Sequence, residues 1–136
     1  MAAAPKYSYV ATTAAQNAIA TLLNSGKLRI YASGSSPPAD ADAAIVGTLL
    51  AELTLNATFA TSVTNGVITA AAITACTDAA ASGTADYFRL WKTDGTTCMF
   101  QGTVGTATAD LILNSVAIVI HAAVSVTSLT LTLPRS

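Results

Sequence analysis

Apolar residues recur along this chain with two different periods, and the change of period separates one helix from a series of short strands. Between Thr13 and Leu23 the positions Ala14, Ala15, Ala18, Ile19, Leu22 and Leu23 form a narrow stripe at helical spacing. Thr13 followed by Gln16 has the spacing of a capping box, which satisfies amides left without partners at a helix start. Asn24-Ser25-Gly26 closes the segment, glycine taking the left-handed cap conformation without penalty. The pattern predicts one helix over 13–23, and a single helix with such a stripe needs a sheet to lie on.

From Leu28 the period becomes two. Leu28, Ile30 and Ala32 alternate with Arg29 and Tyr31, so one face is packed and the other wet. The stretch from Gly34 to Asp40, with Pro37 and Pro38 at its centre, is too rich in turn formers for regular structure and extends to about Ala44 as a surface contact loop. Leu50 to Leu55 reads as a strand, and Phe59 and Val63 as cover for an edge before the Asn65-Gly66 turn. A further strand follows over 67–73, its alanines implying close approach by the helix or an opposite sheet, and then a second loop over 74–83.

The strongest local signal is a hairpin, Tyr87 to Lys92 and Thr97 to Phe100 around Thr93-Asp94-Gly95-Thr96. Phe88 and Leu90 are assigned to the core, which leaves Tyr87, Arg89 and Trp91 on the other face. That set is either an exposed interface hot spot or, with Trp91 packed inward at the hairpin end, part of the interior. Ala109 to Leu113 is a short strand. Val116, Ile118 and Ile120 then alternate with Ala117, Val119 and His121, and Val124 and Val126 continue the pattern. Leu129, Leu131 and Leu133 alternate with Thr130 and Thr132, out of phase with the preceding run, which predicts a β-bulge at Thr127-Ser128 before Pro134 ends the pairing.

About seven or eight short strands with intervening turns predict a mainly β protein, a single β-sandwich or jelly-roll-like domain with one N-terminal helix. A βαβ fold is disfavoured because helical stretches do not recur between strands. Residues 1–10 read as an N-terminal arm, with Tyr7 and Tyr9 as docking anchors, and 11–136 as the domain.

Composition sharpens this picture. Hydrophobic residues are 52%, but 29 are Ala, and 21 Thr accompany them, so the core must come from Val, Ile, Leu and a few aromatics. Six Lys or Arg against seven Asp or Glu leave a net charge of -1, and the positive charges are scattered. A nucleic-acid partner is not expected, because phosphate binding needs a basic footprint. No apolar run approaches the roughly 20 residues of a membrane span, and no secretory signal core follows the N-terminus.

Candidate chemistry is sparse. His121 is the only histidine and has no nucleophile or triad context, so it reads as structural. Cys76 and Cys98 allow one disulfide but read better as free thiols, and their 22-residue separation does not match a zinc site. Asp40 and Asp42 lack the further oxygen ligands of a calcium loop. Asn56-Ala57-Thr58 has the form of a glycosylation sequon and reads as a turn. No cofactor, metal or catalytic residue is assigned, and a non-enzymatic binding role is the expectation.

The succession LRIYASGSSPP, LLAELTL, GVITAAAIT, ADYFRLWKTDGTTCMFQGTVG and ADLILNSVAIVIHAAVSVTSLTLTLP resembles small virion proteins of tailed bacteriophages, over roughly Leu28 to Pro134. The resemblance lies in composition and turns rather than in a catalytic signature. It implies capsid decoration: a cement protein on the outer surface of the virion that binds the major capsid protein as a homo-trimer or homo-dimer. The expected contacts are Tyr7 and Tyr9, the loop at Pro37 and Pro38, and the face of Tyr87, Arg89 and Trp91. A phage tail, neck or host-recognition module is the alternative. A small hydrolase would require His121 in a cleft beside a nucleophile or acid.

Overall fold

A computed structural model describes residues 6–133. The expectations for Ala2, Ala3, Ala4, Pro5 and Pro134 lie outside those residues. Helix α1 (Tyr9–Leu22) is followed by β1 (Lys27–Ala32), β2 (Thr48–Thr54), β3 (Ala60–Thr64), β4 (Val67–Ala70), β5 (Gly83–Thr84), β6 (Tyr87–Trp91), β7 (Cys98–Gly105), β8 (Leu111–Leu113), β9 (Ala117–Ile118) and β10 (Val126–Thr132).

Eight strands form one curled sheet in the order β2-β1-β6-β7-β8-β10-β4-β3, and β5 pairs with β9 separately. All neighbours are antiparallel except β7 and β8. Side chains from both ends of this order meet in a single core: Leu28 and Ile30 of β1, Phe88 and Leu90 of β6, Leu111 of β8 and Leu131 of β10 among them. The result is a mainly β, sandwich-like domain with one N-terminal helix, as the alternation predicts. The bulge also falls where the phase break puts it, between Val126 and Ser128 of β10. Both turns signalled by glycine form, with Asn65, Gly66 and Gly95 at positive φ.

Three segments depart from the sequence reading. First, α1 begins four residues before Thr13. Ser8 is its N-cap, and the Ser8 hydroxyl accepts from the Ala11 N–H, so Tyr9 and Val10 belong to the helix rather than to an arm. Thr13 and Gln16 instead face the β3–β4 turn. The Thr13 hydroxyl accepts from the Gly66 N–H, and the buried Gln16 amide donates to the Gly66 and Leu131 carbonyls at 2.9 Å each. Second, residues 60–64 are a full strand, β3, against which α1 packs. Third, the alternating run from Val116 to Val126 is mostly not strand. After β9 the chain turns at Val119 to Ala122, closed by the Ala122 N–H to Val119 carbonyl bond, with His121 at φ 67. The segment is held by the His121 N–H to the Ala79 carbonyl and by a bridge between Cys76 and Val124.

Two predictions follow from these contacts. Gln16→Ala removes two buried hydrogen bonds, leaving the Gly66 carbonyl with the Leu133 N–H alone, and should lower stability by about 1–3 kcal/mol in urea denaturation, whereas a loss under about 0.5 kcal/mol would show that this contact does not hold the helix down. In the β6–β7 turn, the Asp94 carboxylate accepts from the Thr96 and Thr97 N–H groups, which holds its pKa down at about 2. Because the folded-state pKa is depressed, the turn is stabilised above the ordinary carboxylate range and loses that contribution as pH falls through about 2. An NMR titration of the Asp94 carboxyl should therefore give a midpoint near 2, and a midpoint in the ordinary range would exclude the N–H contacts.

Candidate protein-binding surfaces

Strand β6 is buried along its whole length, on both faces. Phe88 and Leu90 enter the core as their spacing predicts. Tyr87, Arg89 and Trp91 do share the other face, but they are not exposed. Each is buried, Arg89 to 3% exposure: residues 33–47 fold back over Tyr87 and Arg89, and the Arg29 side chain covers Trp91. The Arg89 guanidinium donates to the Asp40 and Ala43 carbonyls and to the Gln101 side-chain oxygen, while Gln101 donates to the Pro38 carbonyl. The Tyr87 hydroxyl donates to the Val46 carbonyl and accepts from the Val46 N–H. Tyr87 stacks on Tyr31 with ring centroids 5.0 Å apart, and Arg29 lies 5.0 Å over the Trp91 ring. Burial raises the pKa of both tyrosines, against the lowering effect of nearby arginine charge and, at Tyr87, of the Val46 hydrogen bond. The Trp91 indole lies near the Tyr31 hydroxyl but short of hydrogen-bond geometry, so its buried N–H has no acceptor among the described residues.

The expected hot spot is thus the underside of the contact loop, and what the loop shows to solvent differs from the sequence reading. Pro37 is exposed and Pro38 is buried. The large apolar side chains that face outward are Ile45 and Val46. The loop is anchored at its start by Ser33, whose hydroxyl and N–H both donate to the Asp86 carboxylate, and at its end by Gly47, at φ +85 with its Cα against the Ala32 carbonyl. Val119 and Ile120 form a second exposed apolar pair. Their turn is tied to Ser82, whose hydroxyl accepts from the Ile120 N–H, and the adjacent Gly83 also abuts Ala32. Both pairs therefore leave the sheet at the Ala32 end of β1.

Tyr7 and Tyr9 lie at the opposite end, just before and within the first turn of α1, about half exposed. The helix runs from the β3–β4 turn to Gly26, which packs on the Trp91 carbonyl at the start of β1. Its inward side mixes polar and apolar residues. Ile19 and the fully buried Leu23 pack on the core beside Thr12, Gln16 and Ala20, while Val10, Ala11, Ala14, Ala15, Ala18 and Leu22 face solvent together with Asn17 and Thr21, Val10 at 82% exposure. The stripe of Ala14, Ala15, Ala18, Ile19, Leu22 and Leu23 that the sequence lays on a sheet is corrected here: only Ile19 and Leu23 reach the core, and the other four are exposed, because the bonds of Thr13 and Gln16 to Gly66 and Leu131 set the rotation of the helix. No sequence signal marks Ile45, Val46, Val119 or Ile120 as an outward set.

His121 does touch an acid, with its Nδ1 2.7 Å from Asp78 Oδ1, but both side chains are about three-quarters exposed rather than set in a cleft. Cys76 and Cys98 are free thiols, and burial pushes Cys98 up, away from the reactive thiolate. Among the described residues no group of His, Cys, Asp and Glu is placed to hold a metal ion, and no helix is long and apolar enough to cross a membrane. Asn56 of the sequon accepts from the Thr58 N–H through its side chain, an Asx turn. Comparison of the chain with known protein families, with curated proteins and with solved structures finds no match.

The anchoring of the loop has a direct test. Tyr87→Phe deprives the Val46 carbonyl of its donor and the Val46 N–H of its acceptor, at a cost of about 1–3 kcal/mol. Amide exchange at Val46 should accelerate at least about tenfold while exchange in β7 is unchanged. Equal exchange at Val46 in both proteins would mean that Tyr87 does not hold the loop.

Proposed function

We propose that this protein is a structural virion protein of the capsid-decoration type, which binds the major capsid protein on the outer surface of the shell and reinforces it. The observation that carries a binding role is the set of exposed apolar residues Ile45, Val46, Val119 and Ile120 at one end of the sheet, on segments whose backbones are tied down. Apolar side chains held rigidly lose little conformational entropy when covered, which is what a docking surface needs. The near-neutral charge of -1 agrees with a partner bound by shape and apolar area rather than by electrostatic steering. The choice of a capsid as that partner rests on the resemblance to small tailed-phage virion proteins. A tail, neck or host-recognition role uses the same surface on a different partner.

Cryo-electron microscopy of virions tests the location, with density expected over junctions between major capsid subunits; density confined to the tail would transfer the protein to the alternative reading. Co-sedimentation with expanded capsids tests the surface. Ile45→Asp with Val119→Asp should reduce bound protein by about tenfold or more, since each places a charge in an apolar contact. Undiminished capsid binding by a folded double variant would remove this end of the sheet as the docking site.

A further inference from the structure

We infer that the outward face of α1 is a self-association surface, on which a second copy of this chain packs its own α1 antiparallel about a two-fold axis. Helices on protein surfaces bury their apolar stripe and turn polar residues to water. Here Ile19, Ala20 and Leu23 pack inward beside Gln16 and Thr12, and a second apolar set, the 82% exposed Val10, the 44% exposed Leu22 and the alanines between them, is left outside. Between Lys6 and Lys27 the chain has no charged residue at all. An isologous contact sets a patch against itself, so a charged patch would repel its copy, while this uncharged one does not. A partner chosen by charge complementarity would find nothing here to pair with.

The shape agrees with a copy of the same helix. Alanines 11, 14, 15 and 18 occupy the middle of the face, which permits close approach of two axes, while Val10 and Leu22 stand at its ends. A two-fold axis between Ala14 and Ala18 places Val10 of one protomer beside Leu22 of its partner, twice, and sets the helix dipoles antiparallel. Grooves flank the helix on both sides, one of about 390 Å³ floored by Ala11, Ala15 and Leu133, the other of about 460 Å³ between Ala14 and Val63. They accept the edges of the opposing helix.

The area sets the strength. A helix of this length is about 21 Å long, and pairing two of them with their flanks covers on the order of 500–600 Å² per protomer. Stable interfaces usually cover about 800 Å² per partner, so the pair belongs at the weak end, a dimer in concentration-dependent exchange with monomer.

Sedimentation equilibrium of the full chain is the test. The wild-type protein should pass from monomer to dimer across the micromolar range, and Ala14→Glu with Ala18→Glu should be monomeric throughout. Both positions are exposed and Glu is a good helix former, so the circular dichroism spectrum should not change. Val10→Lys, at the most exposed apolar position, is the second variant and should also abolish the dimer. Arrangement is read by oxidation: Val10→Cys protein mixed with Leu22→Cys protein should cross-link, neither alone should, and wild type, which carries Cys76 and Cys98, is the control. A wild-type monomer at every concentration, a trimer, a dimer that survives both charge variants, or cross-linking of Val10→Cys protein to itself would each overturn the inference. If the monomeric variants instead lose capsid binding while wild type is itself monomeric, the face belongs to the capsid contact. The inference stands apart from the decoration reading: a two-fold dimer that ignores capsids would retain it and remove that reading, and a capsid-binding monomer would do the reverse.

Discussion

The burial of the Arg89 guanidinium on the outer side of β6 is the constraint around which the rest of the fold is arranged. A cation taken out of water must find its hydrogen bonds inside, and here no carboxylate supplies them. Two loop carbonyls and the Gln101 side chain do so instead. Losing those acceptors would leave a charge in a dry site, a cost of several kcal/mol that a domain of this size does not easily absorb. Residues 33–47 are thereby a structural layer rather than a free loop. β6 becomes the central plank of two cores, one of Phe88 and Leu90 against the sheet's far half, the other of Tyr31, Tyr87 and Arg89 beneath the loop, with Trp91 under Arg29.

This arrangement separates fixed backbone from free side chains. Arg89, Tyr87 and Gln101 hold the loop through its carbonyl and amide groups, at Pro38, Asp40, Ala43 and Val46. Such bonds place no demand on the identity of the loop's own side chains, so Ile45 and Val46 are positioned without being used by the fold. The same logic operates at α1, where Thr13 and Gln16 bind the β3–β4 turn and leave the apolar positions outward. In both places polar residues share the internal anchoring and some apolar residues are left for solvent, a local reversal of the usual division, since Ile19, Ala20 and Leu23 of α1 still pack on the core.

That reversal also explains which parts of the structure were legible in the sequence. Hairpins, the Asn65-Gly66 and Gly95 turns, and the bulge in β10 are encoded by neighbours in the chain, and each forms where the local pattern puts it. The cover over Tyr87 and Arg89 was not legible, because its partners are backbone carbonyls more than 40 residues away, and a carbonyl has no sequence signature. Gln16 was misread for a related reason. Its spacing from Thr13 fits a local cap equally well, and only the tertiary contact with Gly66 and Leu131 decides. The run through His121 failed because alternation detects apolar period and not backbone sign: the strand ends at Ile118, and a turn over Val119 to Ala122, with His121 at φ 67, follows where the pattern continues.

The two outward surfaces lie at opposite ends of β1, the loop pair beyond Ala32 and the helix beside Gly26. Each is small, and neither alone has the area of a tight interface. Their separation would make them additive: a copy bound at the helix end, as inferred above, would leave the Ile45 and Val119 end of each protomer free, so that one particle would present two docking ends. Once the first end is bound, the second acts at a high effective concentration set by the rigid spacing between them, provided the target repeats at that spacing. A regular protein lattice meets that condition and an isolated partner does not. On the proposed reading, weak self-association and weak docking would together suffice for retention on a repeating surface, and stronger contacts at either end would not be required of so small and nearly neutral a domain.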